Sequence, residues 1–220
     1  MINFQGVSKH YDTTTALRNI TLFIEKAEMA FITGPSGAGK TTLMRLIYAA
    51  ESPDSGRITI ADWESGSLTG SNIPKLRRSI GIVFQDFRLL FNRNVFDNVA
   101  LTLRVRKIPE REVKAQVLDA LRMVNLRHKT DSLPVALSGG EQQRVVIARA
   151  FVGDPTILLA DEPTGNLDPD TAAGIMRIFR EINARGTTIL IATHNRELYR
   201  NTGKRVIRLE NAEIVSEERG

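Results

Sequence analysis

An α/β fold, with a mainly parallel sheet carrying helices on both faces, is predicted by three features of the sequence. Strand-length apolar runs alternate with helix-period segments from about Thr156 onward. The buried-type run Met29-Ala30-Phe31-Ile32-Thr33 leads straight into a glycine-rich turn. The middle, roughly Gln85 to Phe151, reads as helical and forms an insertion into the sheet core. In order along the chain, Ile2-Asn3-Phe4 is a short strand. Ile20, Leu22 and Ile24 alternate with Thr21 and Phe23 in a second. A helix is expected from about Gly39, with Leu43, Leu46 and Ile47 at helical spacing. Pro53-Asp54-Ser55-Gly56 is a turn signal before the strand Arg57-Ile58-Thr59-Ile60. Val113, Val117, Leu121 and Val124 form one apolar stripe, read as core packing. A strand is expected to end at Asp161, and a helix over about Asp170 to Ala184 carries Ile175, Ile178, Phe179 and Ile182. A strand over Thr187 to Ala192 follows, then a short helix and strands near Val206–Leu209 and Ile214–Val215.

With 220 residues the chain can bury one substantial core, and it is read as one domain, residues 1–220. Residues 1–84 and 152–220 make the core and 85–151 the helical subdomain. No apolar run approaches the roughly 18–20 residues of a membrane span, and no secretory leader is visible at Met1-Ile2-Asn3-Phe4. A cytosolic chain that docks on a membrane partner fits both readings. With no cysteine, disulfide and thiol chemistry are excluded. The net charge of +5 and pI near 9.7 could serve an anionic partner. The basic residues are scattered, however, and aromatics are only 6%, so the stacking surface of a nucleic-acid binder is missing and no nucleic-acid partner is expected.

The chemistry sits at the ends of predicted strands. Gly34-Pro35-Ser36-Gly37-Ala38-Gly39-Lys40-Thr41 fits the P-loop pattern, with Thr42 next in the helix. Such a loop aims backbone N–H groups and a helix N-terminus at phosphates, while Lys40 reaches the β/γ-phosphates and the Thr41 hydroxyl helps hold Mg²⁺. Ile157-Leu158-Leu159-Ala160 is an apolar strand ending in Asp161 and Glu162. Asp161 is the candidate Mg²⁺ carboxylate. Glu162, one residue on, can polarise an attacking water. His194 follows Ile189-Leu190-Ile191-Ala192-Thr193 at the edge where open α/β sheets bind ligands. Gln85 follows Ile82-Val83-Phe84 at another strand end. Ser138-Gly139-Gly140-Glu141 opens a second helix, a further anion-binding device far from the P-loop in sequence.

Together, the P-loop, Leu137-Ser138-Gly139-Gly140-Glu141 and the Asp161-Glu162 strand, in this order, resemble the ATP-binding-cassette (ABC) ATPases over essentially the whole chain. That resemblance implies a P-loop NTPase fold with an N-terminal antiparallel β part, and ATP with Mg²⁺ as ligands. It implies that Gln85 touches Mg²⁺ or the attacking water, and that His194 is the switch histidine at the γ-phosphate. Tyr11 would stack on adenine. Ser138 and its neighbours would contact the ATP bound by an opposite subunit, so a homodimer forms on ATP binding. Gly165-Asn166-Leu167-Asp168 resembles the loop that crosses that interface. Asn195 stands where the family commonly has aspartate. The linking text, Ala38-Gly39-Lys40-Thr41-Thr42-Leu43, Val83-Phe84-Gln85-Asp86-Phe87-Arg88-Leu89-Leu90, Asp97-Asn98-Val99-Ala100 and Leu159-Ala160-Asp161-Glu162-Pro163-Thr164-Gly165-Asn166-Leu167-Asp168, together resembles the bacterial cell-division branch, with lipoprotein-release and macrolide-export ATPases as the alternative. The cell-division resemblance implies the polytopic membrane protein FtsX as partner, FtsZ and other septal proteins nearby, and a peripheral location on the cytoplasmic face of the inner membrane at the septum. In such proteins the segment with Phe87, Leu89, Leu90 and Phe91 receives a helix of the membrane partner. The alternative for those side chains is burial in the helical core. DNA-associated ABC ATPases carry zinc cysteines or coiled-coil insertions, and this chain has neither.

Overall fold

The computed structural model describes residues 1–165 and 167–220. The chain opens with β1 (Ile2–Tyr11) and β2 (Thr14–Ile24), then β3 (Met29–Thr33), α1 (Lys40–Ile47), β4 (Ser55–Ile60) and β5 (Trp63–Glu64). Next come α2 (Ile73–Arg78) and β6 (Ile80–Val83), followed by the helices α3 (Val95–Val105), α4 (Glu110–Met123) and α5 (Gly139–Phe151). β7 (Ile157–Asp161), α6 (Pro169–Ala184), β8 (Thr188–Ala192), β9 (Arg205–Glu210) and β10 (Glu213–Arg219) complete it.

Two sheets result. The larger runs β10-β9-β3-β8-β7-β6. All its pairings are parallel except the β10–β9 edge. The smaller is antiparallel, β2-β1-β4-β5. The alternation expected around Ile20 to Ile24 holds: Ile20, Leu22 and Ile24 are buried and Phe23 is 49% exposed. The strands begin earlier and run further than the sequence suggests, because β1 and β2 pair from Ile2 and Ile24 back to a two-residue turn at Tyr11 and Thr14. The turn expected at Pro53–Gly56 is shorter than read, since Ser55 and Gly56 already belong to β4.

The parallel sheet divides the interior into two apolar layers. Along β3, Met29 and Phe31 face one side while Ala30 and Ile32 face the other, and β7 and β8 alternate in the same way. One layer packs the sheet against α3, α4, α5 and α6, with Val113, Val117, Leu121 and Val124 of the predicted stripe fully buried in it. The other packs the sheet against α1 and the inner face of the antiparallel sheet. Strands covered on both sides need continuous apolar sequence, and every residue of β3 and β8 is buried.

α2 and β5 are not foreseen in the sequence, and the reason is size. α2 has six residues and only Leu76 among them is buried, too little for a 3.6-residue period to register.

Phe179, fully buried on α6 against the sheet, tests this layering. Truncation to alanine should cost about 3–5 kcal/mol, read as a lower midpoint in urea unfolding with an unchanged slope. An undiminished midpoint would mean that α6 does not carry the layer.

Candidate functional site

The carboxyl ends of β3, β7, β8 and β6 lie along one edge of the sheet, and the predicted groups emerge there. In register, Asp161 pairs with Ala192, and Ala192 with Ile32. The Thr193 N–H donates to the Ile32 carbonyl at 2.9 Å, which extends the pairing past the strand end. β3 passes directly into the loop of Gly34 to Gly39, and α1 starts at Lys40. Two of the loop glycines are required. Gly34 and Gly39 have φ of 146° and 104°, and a Cβ would collide with the Leu209 carbonyl at the first and the Ala16 carbonyl at the second.

Pro35, Ser36, Gly37, Gly39, Lys40, Thr41 and Thr42 line a cleft of about 550 Å³. Gln85, Asp161, Glu162 and His194 close it from the other strand ends. Lys40 Nζ bridges the carbonyls of Gly34 and Pro35 at 2.8 and 2.9 Å. The Thr41 hydroxyl donates to Asp161 Oδ2 at 2.9 Å. Burial is the largest influence on Asp161 and raises its pKa above the ordinary carboxylate value, against the lowering by the Thr41 hydroxyl.

Glu162 is the most tightly held group. Its backbone is in the left-handed region, φ 46°, and its N–H donates to the Ala192 carbonyl at 2.9 Å. Its Oε1 accepts from the His194 backbone N–H at 3.1 Å and lies 2.8 Å from the ring Nδ1. Its Oε2 accepts from the Thr193 hydroxyl at 3.2 Å. The Glu162 side chain is 12% exposed and the His194 ring 69% exposed, so the histidine reaches outward while the carboxylate stays sheltered. A left-handed glutamate fixed from three directions is the kind of local strain that accompanies function.

Thr193 is a residue the sequence reading missed. It donates to Glu162 and its hydroxyl also accepts from the Asn195 N–H at 3.1 Å. Its position between a buried strand and the histidine is the only signal in the sequence. Asn195, at the position commonly held by aspartate, caps the turn Arg196–Leu198 by accepting from the Glu197 N–H at 3.0 Å. An aspartate oxygen would accept the same bond, so the departure leaves the turn intact.

The remaining predicted groups lie outside this cleft. Ser138 is the N-cap of α5 in a reciprocal capping box: its hydroxyl accepts from the Glu141 N–H at 3.2 Å, and Glu141 Oε2 accepts from the Ser138 N–H at 2.8 Å. That backbone bond holds the Glu141 carboxyl below its usual pKa. Ser138 and Gly139 are exposed and Gly140 is half-buried. Asp168 caps α6 through the Thr171 N–H at 2.9 Å, and the Thr171 side chain first, then this backbone bond, lowers its pKa. Asn166, part of the same predicted loop, lies outside the described residues. α5 and the carboxylate strand are joined by Gln143, which is 2% exposed and donates from Nε2 to the Pro163 carbonyl at 2.7 Å. This tie was also missed, since a glutamine among glutamines carries no distinguishing pattern.

Tyr11 ends β1, and Lys9 Nζ sits 5.5 Å from its ring centroid. Thr14 and Ala16 of the same hairpin line the cleft and Tyr11 does not. In the segment after Gln85, Phe87 and Leu89 pack inward, Leu89 being 6% exposed, whereas Leu90 and Phe91 are 40% and 54% exposed. Two of these four side chains are therefore packed into the helical core and two are exposed.

With this geometry in place, comparison with known proteins is direct. The family model for ABC transporters matches residues 17–165, and the chain belongs to the ABC transporter family of ATP-binding cassettes. It is 45% identical over 219 residues to the cell division ATP-binding protein FtsE of Streptococcus pneumoniae, covering 99% of this chain and 95% of that protein. It is 46% identical to FtsE of Bacillus subtilis over 219 residues, with 99% and 96% coverage, and 45% identical to FtsE of Escherichia coli over 215 residues, with 97% coverage of each. Among solved structures, the dimeric bacterial ABC transporter cassette MJ0796 superposes with a TM-score of 0.91 at 35% identity, covering 100% of this chain and 98% of that one. The same cassette in a post-hydrolysis state bound to ADP and Pi gives 0.90 at 34% identity. Within its family the chain thus sits with the FtsE proteins, and it is an ATP-binding ATPase.

Two outcomes are expected. Lys40→Ala should lower ATP affinity by about a hundredfold or more, the loss of a charge-assisted contact to phosphate, measured by nucleotide fluorescence; unchanged affinity would remove Lys40 from the site. Because burial raises the Asp161 pKa, the folded state binds a proton more readily than the unfolded chain. The stability this proton brings is present at low pH and is lost as pH climbs through the raised value, leaving an ionised, desolvated carboxylate as a cost at neutral pH. Asp161→Asn should therefore raise the Tm of the nucleotide-free protein at pH 7 by about 1–3 °C, with the gain shrinking toward pH 4. A lower Tm at pH 7 would show that the Thr41 bond outweighs the burial.

Proposed function

We propose that the chain is the ATP-hydrolysing subunit of an FtsE–FtsX complex. It pairs as a homodimer around ATP and drives the polytopic membrane protein FtsX, which controls septal peptidoglycan hydrolysis in bacterial cell division. The observation that carries the catalytic half of this reading is the sheltered Glu162 carboxylate held by His194 and Thr193 at the edge of the P-loop cleft. The cell-division half is supported by the near full-length similarity to FtsE proteins. The pairing is supported by the dimeric cassettes of the same fold.

In this reading the P-loop amides from Gly34 to Thr41, with Ala38 and Thr42, cradle the phosphates, and Lys40 balances their charge. Glu162 is the general base that orients a water and accepts its proton as the water oxygen bonds to the γ-phosphorus and the bond to the ADP oxygen breaks. His194 keeps the carboxylate in place through Nδ1 and turns its outer edge toward the γ-phosphate. Gln85 reaches the same region from the start of the helical subdomain, residues 85–151, while residues 1–84 and 152–220 form the core. The adenine would lie against the hairpin that bears Tyr11.

Thr41, Asp161 and Gln85 suit Mg²⁺, because a hydroxyl, a carboxylate and an amide oxygen are hard donors. Among the described residues no cluster of three or more His, Asp or Glu could hold a metal alone, as befits an ion that shares its coordination with substrate phosphates. Mg²⁺ would neutralise the charge that develops on the phosphate oxygens.

Ser138, Gly139, Gly140 and Glu141 form an exposed helix N-terminus that would close over the ATP held by the other subunit, with Asp168 at the interface. No helix among the described residues is long and apolar enough to cross a membrane, in keeping with a peripheral subunit on the cytoplasmic face of the inner membrane at the septum, near FtsZ. The exposed Leu90 and Phe91 lie in the segment expected to meet FtsX.

Glu162→Gln should keep ATP binding, slow hydrolysis by about a hundredfold or more, and elute as a dimer with ATP in light-scattering chromatography. Wild-type turnover would remove Glu162 from its role, and a persistent monomer would remove the pairing. Purified with ATP from detergent-solubilised membranes, the same variant should bring down FtsX. A lipoprotein-release or exporter permease in its place would keep the ATPase and replace the biology.

A further inference from the structure

A second cleft, about 570 Å³, lies over the start of β3 on the side of the helical layer. Its origin is topological. β3 stands between β8 and β9, so the connection from β8 to β9 has to cross it. Crossovers between parallel strands usually cover the sheet with an α-helix. Residues 193–204 make this crossing with one short turn, Arg196–Leu198, after which the Tyr199 ring lies 5.8 Å from that of Phe31. α6 covers the opposite flank. Met29 and Phe31 are left as the floor of the space between α6 and the crossing chain.

The lining is sorted by depth. Every buried residue in it is apolar: Met29, Phe31, Ala172, Met176 and Leu198. The charges stand further out. Arg180 on α6 and Arg200 after the turn are exposed, and Lys204 is half-buried. One carboxylate, Glu197, shares the cleft with these three cations. It lies 3.9 Å from Arg200 with both side chains more than two-thirds exposed, so that pair is weak. Among the described residues neither Arg180 nor Lys204 forms an ion pair.

This order of groups decides what fits. A small-molecule site keeps its polar groups inside, where they fix the ligand's orientation. A protein interface has an apolar centre and a polar rim in which arginine is enriched. The cleft follows the second pattern, and its excess of cations selects an acidic occupant. Its rim is also held in advance. Asn201 and Gly203 have left-handed backbones, φ 57° and 65°. The Thr202 hydroxyl donates to the Tyr199 carbonyl at 2.7 Å. The Gly203 N–H donates to the Gly220 carbonyl at 2.6 Å, and the Gly220 N–H to that of Lys204 at 2.8 Å. A loop tied in this way has little order left to lose on binding.

We propose that this cleft receives a short acidic segment of a protein partner. The segment seats an apolar side chain on Met29, Met176 and Leu198 and sets its carboxylates against Arg180, Arg200 and Lys204. None of these residues lines the nucleotide cleft or belongs to the segment of Leu90 and Phe91, so the surface is a separate one.

The test uses the full chain without ATP and three fluorescein-labelled peptides of about 12 residues, up to about 40 Å long when extended. The first carries Leu-Phe between aspartates and glutamates. The second has asparagines and glutamines in their place, and the third is acidic with Ser-Ser for Leu-Phe. By anisotropy the first should bind about tenfold more tightly than the second, the sum of small gains from several exposed charge pairs. That gain should vanish in about 1 M salt, where the screening length is about 3 Å, and in a variant carrying Arg180→Gln with Lys204→Gln. The third peptide should bind more weakly than the first by about tenfold or more, for want of the anchor. Ala173 lines the cleft from an exposed position on α6, so Ala173→Trp should block the first peptide and leave the Tm unchanged. Equal affinity of the first two peptides would overturn the acidic chemistry, and a gain that survives the double substitution would overturn the residue assignment. Binding that survives Ala173→Trp, or binding of none of the three, would overturn the cleft as a docking site. Self-association of the ATP-free chain in light scattering, abolished by Ala173→Trp, would give the cleft to a second copy and overturn the separate partner.

Discussion

Three strands, β3, β8 and β7, run side by side in one parallel register, and the placement of the glycine-rich loop, the two carboxylates and His194 follows from where they stop. Asp161 is level with Ala192, and Ala192 with Ile32, so the P-loop, the two carboxylates and His194 leave the sheet at one edge. Parallel strands all point the same way, which is why segments far apart in sequence converge there without any direct connection. The register has little slack. A slip of one residue would move Asp161 by about 3.3 Å along its strand, beyond hydrogen-bond reach of the Thr41 hydroxyl. What holds the register is burial on both faces: β3 and β8 have no exposed residue, and their alternate side chains are locked into two separate apolar layers.

The edge so formed is locally unfavourable, and its neighbours compensate. Asp161 is desolvated, Glu162 has a left-handed backbone, and Gly34 and Gly39 occupy positions a Cβ cannot enter. Hydrogen bonds donated by Thr41, Thr193 and His194, and one that the Ala192 carbonyl of β8 accepts from the Glu162 N–H, offset these costs. A site of this kind trades stability for a fixed arrangement of charge, as sites that stabilise developing negative charge generally do.

The helical middle of the chain is fastened to that edge at separate points. Gln143 links the start of α5 to Pro163, just past the carboxylates. Arg149, near the end of the same helix, grips the backbone after Gln85. One helix therefore touches the segments that follow two different strands.

Much of this was legible in the sequence because it depends on short-range pattern. The continuous apolar runs of β3, β7 and β8, the glycines around Lys40 and the Asp161-Glu162 pair each declare themselves within a few residues, and backbone sterics and hydrophobic periodicity act over that range. The capping box at Ser138 is equally local, with its partner Glu141 three residues on. Other features had no local signature. α2 is too short for a period, Thr193 reaches Glu162 and Gln143 reaches Pro163 across 31 and 20 residues of sequence, and the inward and outward turn of Phe87, Leu89, Leu90 and Phe91 depends on which face the helices cover. The sequence by itself determined the core strands, the glycine-rich loop between β3 and α1 and the residue types that stand at the strand ends, since these follow from the conformational limits of neighbouring residues. Only the tertiary structure decided which carboxylate is sheltered and by whom, because desolvation and pairing depend on groups that folding alone brings together.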